Sequence, residues 1–166
     1  LGSETMASEF EDGSFTTIYL SPKDYHRIHF PVRGTLKKMV HVPGDLFSVN
    51  PTTVNAIDEL FARNERVVAF FDTPAGPMAM VMVGAIFVSS IETVWHGEVT
   101  PPRHNQIRSW NYNDKTLTYK KNDEMARFNM GSTIVLLYGK DKIAWAEELA
   151  AGQAVQRGQV LGKIKA

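Results

Sequence analysis

The sequence predicts a mainly β protein, an antiparallel sandwich or barrel-like fold with tight hairpins and one or two short helices. Three observations predict it. Six segments are rich in Val, Ile, Thr and aromatic residues, the side chains that suit a pleated, half-buried surface. Clusters of Pro, Gly and Thr punctuate them, among them Thr73-Pro74-Ala75-Gly76-Pro77 and Thr100-Pro101-Pro102. At 166 residues the chain has the length of one domain with a sizeable core.

Taken in order, strands are predicted over residues 15–20, 35–42, 66–71, 78–95, 106–112 and 132–138. A helix is predicted near residue 50: Asn50 can cap it, Pro51 suits its first turn, and Val54, Ile57, Leu60 and Phe61 fall on one face. A shorter helix is predicted around 143–150. There is also an internal echo. Lys121-Asn122-Asp123-Glu124-Met125-Ala126-Arg127-Phe128 returns 36 positions later as Arg157-Gly158-Gln159-Val160-Leu161-Gly162-Lys163-Ile164. Each reads as a basic residue, a turn, then apolar and small residues, a hairpin pattern that lipoyl-carrier domains also use.

Composition removes several function classes. The 18 basic and 18 acidic residues cancel, so no global field draws the chain to nucleic acid or anionic lipid, although a local patch is compatible with that balance. With no cysteine there is no disulfide, thiolate metal site or thiol nucleophile. The most apolar run, Met78 to Ile91, has 14 residues, short of the about 20 that a membrane-spanning helix needs. Leu1 to Glu11 lacks the basic start and apolar stretch of a signal peptide. A first residue other than Met is expected of a fragment with a segment upstream.

Three stretches can carry chemistry. In Gly131-Ser132-Thr133, taken alone a turn entering a strand, Ser132 could attack the carbonyl of the glycine before it. Glycine permits the unusual backbone geometry that such an attack requires, and the hydroxyl needs a neighbouring base. Tyr25-His26-Arg27-Ile28-His29 supplies candidate bases in His26 and His29. On a regular strand residues three apart face opposite sides, so the pair chelates a metal poorly, and no further ligand cluster accompanies it. Pro43 to Asn50, containing Ser48, and Leu60 to Val67 offer hydroxyl and guanidinium donors to a phosphate. Arg63, Asn64, Glu65 and Arg66 in the second run otherwise suit a solvated face.

Together with Val83-Gly84-Ala85, Ser90-Ile91-Glu92-Thr93-Val94-Trp95 and Phe128 to Thr133, these stretches resemble, in content and order, the phosphatidylserine decarboxylases, and the bacterial form most closely. The likeness runs from about Met6 to Gly162. The resemblance implies that Met130-Gly131-Ser132-Thr133 is the site of self-cleavage. Ser132 would attack Gly131, and an ester, then a dehydroalanine, would lead to a pyruvoyl group at the start of 132–166. The larger chain, 1–131, would end at Gly131, and the two would stay associated as one catalytic domain, with Ile134, Val135, Leu136 and Leu137 in the shared core. The covalent pyruvoyl cofactor, with no metal, would form a Schiff base with the amine of phosphatidylserine, accept electrons as carbon dioxide leaves, and release phosphatidylethanolamine. The resemblance assigns His29 to self-cleavage, in a triad with an aspartate that lies before this chain's first residue. It assigns His26 to the decarboxylation step and Ser48 to the substrate pocket. It further implies a peripheral enzyme at a membrane surface, on the cytoplasmic face of a bacterial inner membrane, with a homodimer expected and no nucleic acid partner.

The chain departs from the family's pattern at Ser89, Asn122 and Ala126, where glycine is expected. Two other readings exist: a relative that keeps the fold without self-processing, and a lipoyl-type carrier or binding module, suggested by the hairpin echo and by Asp141-Lys142-Ile143. The second leaves the histidines and Ser132 without a role.

Overall fold

The computed structural model describes residues 1–86, 90–114, 116–129 and 132–165. Met130 and Gly131, at the junction singled out above, and Ser89 lie outside the described residues.

The chain is mainly antiparallel β. Its strands are β1 (Ser14–Leu20), β2 (Arg27–His29), β3 (Gly34–Val42), β4 (Arg66–Thr73), β5 (Gly76–Val83), β6 (Ile91–Thr93), β7 (Gly97–Thr100), β8 (Arg108–Asn111), β9 (Thr118–Tyr119), β10 (Glu124–Phe128), β11 (Ser132–Tyr138), β12 (Ile143–Trp145) and β13 (Gly162–Ile164). A large sheet runs β1-β11-β5-β4-β3-β8, with β9 also on β3. A smaller one runs β2-β10-β6-β7, and β12 and β13 form a separate ribbon.

Position in the sheet explains the strand sequences. β1, at an edge, alternates half-buried Ser14, Thr16, Ile18 and Leu20 with exposed Phe15, Thr17 and Tyr19. β4 and β5, in the interior, bury nearly every side chain of Val67-Val68-Ala69-Phe70-Phe71 and Met78 to Val83. Strands covered on both faces need continuous apolar runs; those with one wet face need alternation. The core between the large and small sheets is aromatic. Phe30 meets Phe71 edge-on at 5.2 Å and stacks on Tyr119 at 4.7 Å, while Trp95 meets Phe71 at 5.7 Å. The Trp95 indole N–H points at Met39 Sδ, 3.3 Å away.

The helices differ from the prediction. Asn50 does cap a helix, its side chain accepting the Thr53 N–H at 2.9 Å with Pro51 in the first turn. That helix, α2 (Pro51–Ala56; α1 is the short Glu4–Ala7), stops at Ile57. A separate turn, α3 (Leu60–Arg63), begins after Glu59, whose φ is 55°. Thr52, Thr53, Val54 and Asn55 are all weak helix formers, and a left-handed Glu59 breaks the ladder. The apolar face survives in pieces: Leu60 is buried, and Val54, Ile57 and Phe61 pack against the core. The helix predicted over 143–150 is instead β12, paired with β13 through Ile143↔Ile164 and Trp145↔Gly162. A side chain at Gly162 would meet Ala144 O at 2.7 Å, so glycine there permits the pairing. The predicted strand 78–95 ends as β5 at Val83 and resumes as β6 at Ile91, and 106–112 shortens to β8. The internal echo holds where it is most specific: Asn122 and Gly158, at matching positions, both have left-handed backbones, with φ of 74° and 87°.

Candidate active site

Ser132 is the first residue of β11, an interior strand flanked by β1 and β5. It pairs with Leu20, and Thr133 pairs with Tyr19 on one side and Val83 on the other. Its side chain is fully buried, and its Oγ has no hydrogen-bond partner among the described residues; the same is true of Thr133 Oγ1. Buried hydroxyls are ordinarily bonded, so two adjacent exceptions at the start of one strand call for an explanation.

Two backbone pairings bracket the junction that precedes Ser132. On one side is the Leu20–Ser132 pair. On the other, the Phe128 N–H donates to the His26 carbonyl at 3.0 Å. Asn129, the last described residue before the junction, donates its N–H to Ser90 O at 3.1 Å and its side-chain amide to Ser90 Oγ. His26 therefore belongs to the frame that holds the junction.

The ring of His26 is set by its own backbone. Nδ1 lies 2.5 Å from Asp24 O; a carbonyl only accepts, so Nδ1 carries the proton and Nε2 presents its lone pair. That Nε2 is buried and has no hydrogen-bond partner among the described residues. Asp24 is fixed in turn, its carboxylate accepting from Ser21 N and Oγ at 2.8 and 2.7 Å, and these bonds hold its pKa below the usual carboxylate value.

His29 is arranged differently. It lies in β2 opposite Glu124, towards the Asn122 turn. Its Nδ1–H donates to Asn122 O at 3.0 Å, and its Nε2 accepts from Tyr25 OH at 2.8 Å, with the two rings stacked at 5.7 Å. In both histidines the Nδ1–H is thus held on a backbone carbonyl. His29 has its basic nitrogen covered by a hydroxyl; His26 has it uncovered. The register slip between Glu124 and Ala126 opposite Ile28 and His29 is a β-bulge, which breaks the regular alternation of this ladder.

The far wall comes from the run 63–66, which was read as a solvated face. Arg63 is exposed, but Asn64 and Glu65 turn inward and are buried. Asn64 exchanges bonds with Phe47, accepting from its N–H at 3.0 Å and donating to its carbonyl at 2.9 Å, and donates again to Gly84 O at 2.9 Å. Continuing the β5–β11 register by one step sets Gly84 opposite Ser132. A side chain at Gly84 would sit 3.2 Å from Glu65 O and 3.4 Å from Leu46, so glycine lets this wall close. Through Asn64, the segment carrying Ser48 is tied to the strand end beside Ser132. Ser48 is half-buried, and its Oγ accepts from Asn50 Nδ2 at 2.9 Å.

Glu65 anchors the next layer. Its Oε1 accepts from His41 Nε2 at 3.0 Å and Thr100 Oγ1 at 3.1 Å, and its Oε2 from Arg103 Nε at 3.1 Å. Burial pushes its pKa up, but the His41 and Thr100 bonds and the Arg103 charge outweigh that and leave it lowered. Sequence reasoning missed Ser90, Asn64 and Glu65 as parts of this region. A polar run between a helix and a strand reads the same whether it faces water or folds inward.

Known proteins bear on this arrangement. The family model for phosphatidylserine decarboxylase matches residues 1–163. A phosphatidylserine decarboxylase proenzyme from Methylococcus capsulatus is 54% identical over 164 residues, covering 99% of this chain and 57% of the relative. One from Nitrosococcus oceani is 56% identical over 98% of this chain and 54% of its own length, and one from Vibrio parahaemolyticus 54% identical over 95% and 56%. The chain spans little more than half the length of the curated relatives it matches. On a match over nearly all of its residues, the chain belongs to the phosphatidylserine decarboxylase family.

Proposed function

We propose that this chain converts phosphatidylserine to phosphatidylethanolamine with a pyruvoyl group that it makes from Ser132. The observation that carries the reading is the buried, unpartnered Ser132 Oγ at the start of an interior strand, in a chain whose relatives are named proenzymes. The hydroxyl is shielded from water, and its backbone is pinned by β1 and β5, the conditions under which an intramolecular attack gains most from positioning. Ser132 Oγ attacks the Gly131 carbonyl carbon; the C–O bond forms, the C–N bond breaks, and the freed nitrogen takes a proton. The ester then eliminates, and hydrolysis releases ammonia. A pyruvoyl group fits this position, because its methyl stands where a buried hydroxyl with no hydrogen-bond partner among the described residues is lost.

The group supplies an electron-accepting carbonyl for the loss of carbon dioxide. The remaining work falls to side chains. His29, with Nδ1–H held on Asn122 O, is the base that takes the Ser132 proton, after Tyr25 OH yields its place on Nε2. His26, with an uncovered Nε2, holds or returns a proton on the substrate side. Ser48, tied in by Asn64, faces the polar head of the lipid as a donor.

The test is paired. The chain and its Ser132→Ala variant are incubated with vesicles containing carboxyl-labelled phosphatidylserine. The parent should split into two fragments and release labelled carbon dioxide, and the variant should do neither. A folded parent chain that stays whole and releases nothing would leave the non-processing reading in its place.

A further inference from the structure

We infer that Arg157 is a positioning residue for His29, acting from the far side of the cleavage junction. The inference rests on His29 being the base of self-cleavage, and it deepens that reading.

His29 is oriented by two groups, the Asn122 carbonyl on Nδ1 and the Tyr25 hydroxyl on Nε2. One guanidinium grips both. Arg157 Nη2 donates to Asn122 Oδ1 at 3.1 Å, and Arg157 Cζ lies over the Tyr25 ring, 5.5 Å from its centroid. Nη2 also comes within 3.5 Å of His29 Nδ1. Because Nδ1 already donates to Asn122 O, that approach is between two donors and measures proximity, not a hydrogen bond. Asn122 stands in a left-handed turn, so its carbonyl direction depends on how firmly the turn is held. Holding its side chain steadies the acceptor of the His29 proton, while the charge over Tyr25 steadies the ring stacked on His29.

The location of Arg157 gives this clamp its consequence. It lies in the turn before β13, in the stretch that becomes the smaller fragment, whereas Tyr25, His29 and Asn122 all lie in the larger one. Among the described residues, every hydrogen bond and ring contact between 146–165 and 1–129 is made by Arg157. The ribbon itself seats through Ile143 and Trp145 against the core, and the turn that carries Arg157 orients the base from the smaller fragment.

The test uses the full chain and three variants. Processing is followed by denaturing electrophoresis for Arg157→Ala, Arg157→Lys and His29→Ala. The His29 tautomer is read from imidazole nitrogen chemical shifts in a Ser132→Ala background, with and without Arg157→Ala. Arg157→Ala should fold normally, since the side chain is exposed, and should process about ten-fold or more slowly, because misplacing a catalytic group costs at least that. Arg157→Lys, which keeps the cation over Tyr25, should recover much of the rate. The Nδ1–H form should dominate with Arg157 present and give way to a mixture without it. If Arg157→Ala processes at the parent rate, or the tautomer does not change, the inference is overturned. If His29→Ala itself processes normally, His29 is not the base, and the inference falls together with the reading beneath it. If His29→Ala blocks processing while Arg157→Ala has no effect, only the inference falls.

Discussion

A buried hydroxyl without a partner costs about 1–3 kcal/mol, and among the described residues Ser132 and Thr133 place two such groups side by side where β11 begins. The two candidate histidines are not equivalent, and their difference predicts separable failures. His29→Ala should leave the chain in one piece. His26→Ala should process and then turn over about 10²–10⁴-fold more slowly, the usual cost of losing a general acid or base; fragment pattern and turnover measured on the same samples separate the two. Since His26 is the ring whose Nε2 is uncovered and whose carbonyl frames the junction, the reverse pattern would assign the base to His26. Glu65 gives a prediction in pH. Its folded pKa is below the unfolded value, so the folded state binds fewer protons in that window and stability rises with pH there. The contribution is fully present above the unfolded value of about 4.3 and is lost as pH falls through the lower folded one. Glu65→Gln should flatten that acid limb in urea melts. It should also lower stability at neutral pH by about 1–3 kcal/mol, because one amide oxygen cannot accept all the bonds that His41, Thr100 and Arg103 give to this buried carboxylate.

At the scale of elements, β11 carries the argument. It forms ladders with both β1 and β5 and buries Ile134, Leu136 and Tyr138, while Val135 and Leu137 are half-buried against the core. Each fully buried aliphatic contributes about 1.5–3 kcal/mol, so a cut before Ser132 leaves a strand that cannot leave without opening the large sheet. The two fragments should co-elute in gel filtration without denaturant and part only in it; separation under native conditions would contradict this. β11 was also the element most legible in the sequence, since Ser132-Thr133-Ile134-Val135-Leu136-Leu137-Tyr138 is a β-branched and aromatic run that begins and ends where the strand does. The helix near residue 50 was half legible: its cap and apolar face stood out, but the break at Glu59 is a backbone choice that no side-chain period reveals. The ribbon was misread because Ile143-Ala144-Trp145 is too short for helix and strand periods to differ, and its partner strand lies 17 to 21 residues away, from Trp145↔Gly162 to Ile143↔Ile164. Ser132, His26 and His29 stood out in the sequence as candidates. The pairing that frames the junction was not, because it depends on a contact between His26 and Phe128 across about a hundred positions.

For the molecule as a whole, the proposed function sets a geometric demand: a site that acts on phosphatidylserine must meet a lipid surface. No described helix is long and apolar enough to cross a membrane. β1 presents Phe15, 65% exposed, and Tyr19, 39% exposed, on one face, and their pairing partners Leu137 and Thr133 share that face. Tyr19 lies one pairing from Ser132 and Phe15 four residues further along β1; exposed aromatic groups of this kind suit peripheral contact with a bilayer. Phe15→Ser with Tyr19→Ser should weaken flotation with phosphatidylserine vesicles without affecting processing; undiminished flotation would put the contact elsewhere. Light scattering of the purified chain tests the homodimer that the same reading carries. The central claim is that the chain makes its cofactor from Ser132, and intact mass of the denatured protein tests it most directly. The account predicts two species, one ending at Gly131 and the other spanning 132–166 and lighter by one ammonia than a fragment beginning with serine. A single species of the full 166-residue mass, from protein shown to be folded, would contradict it.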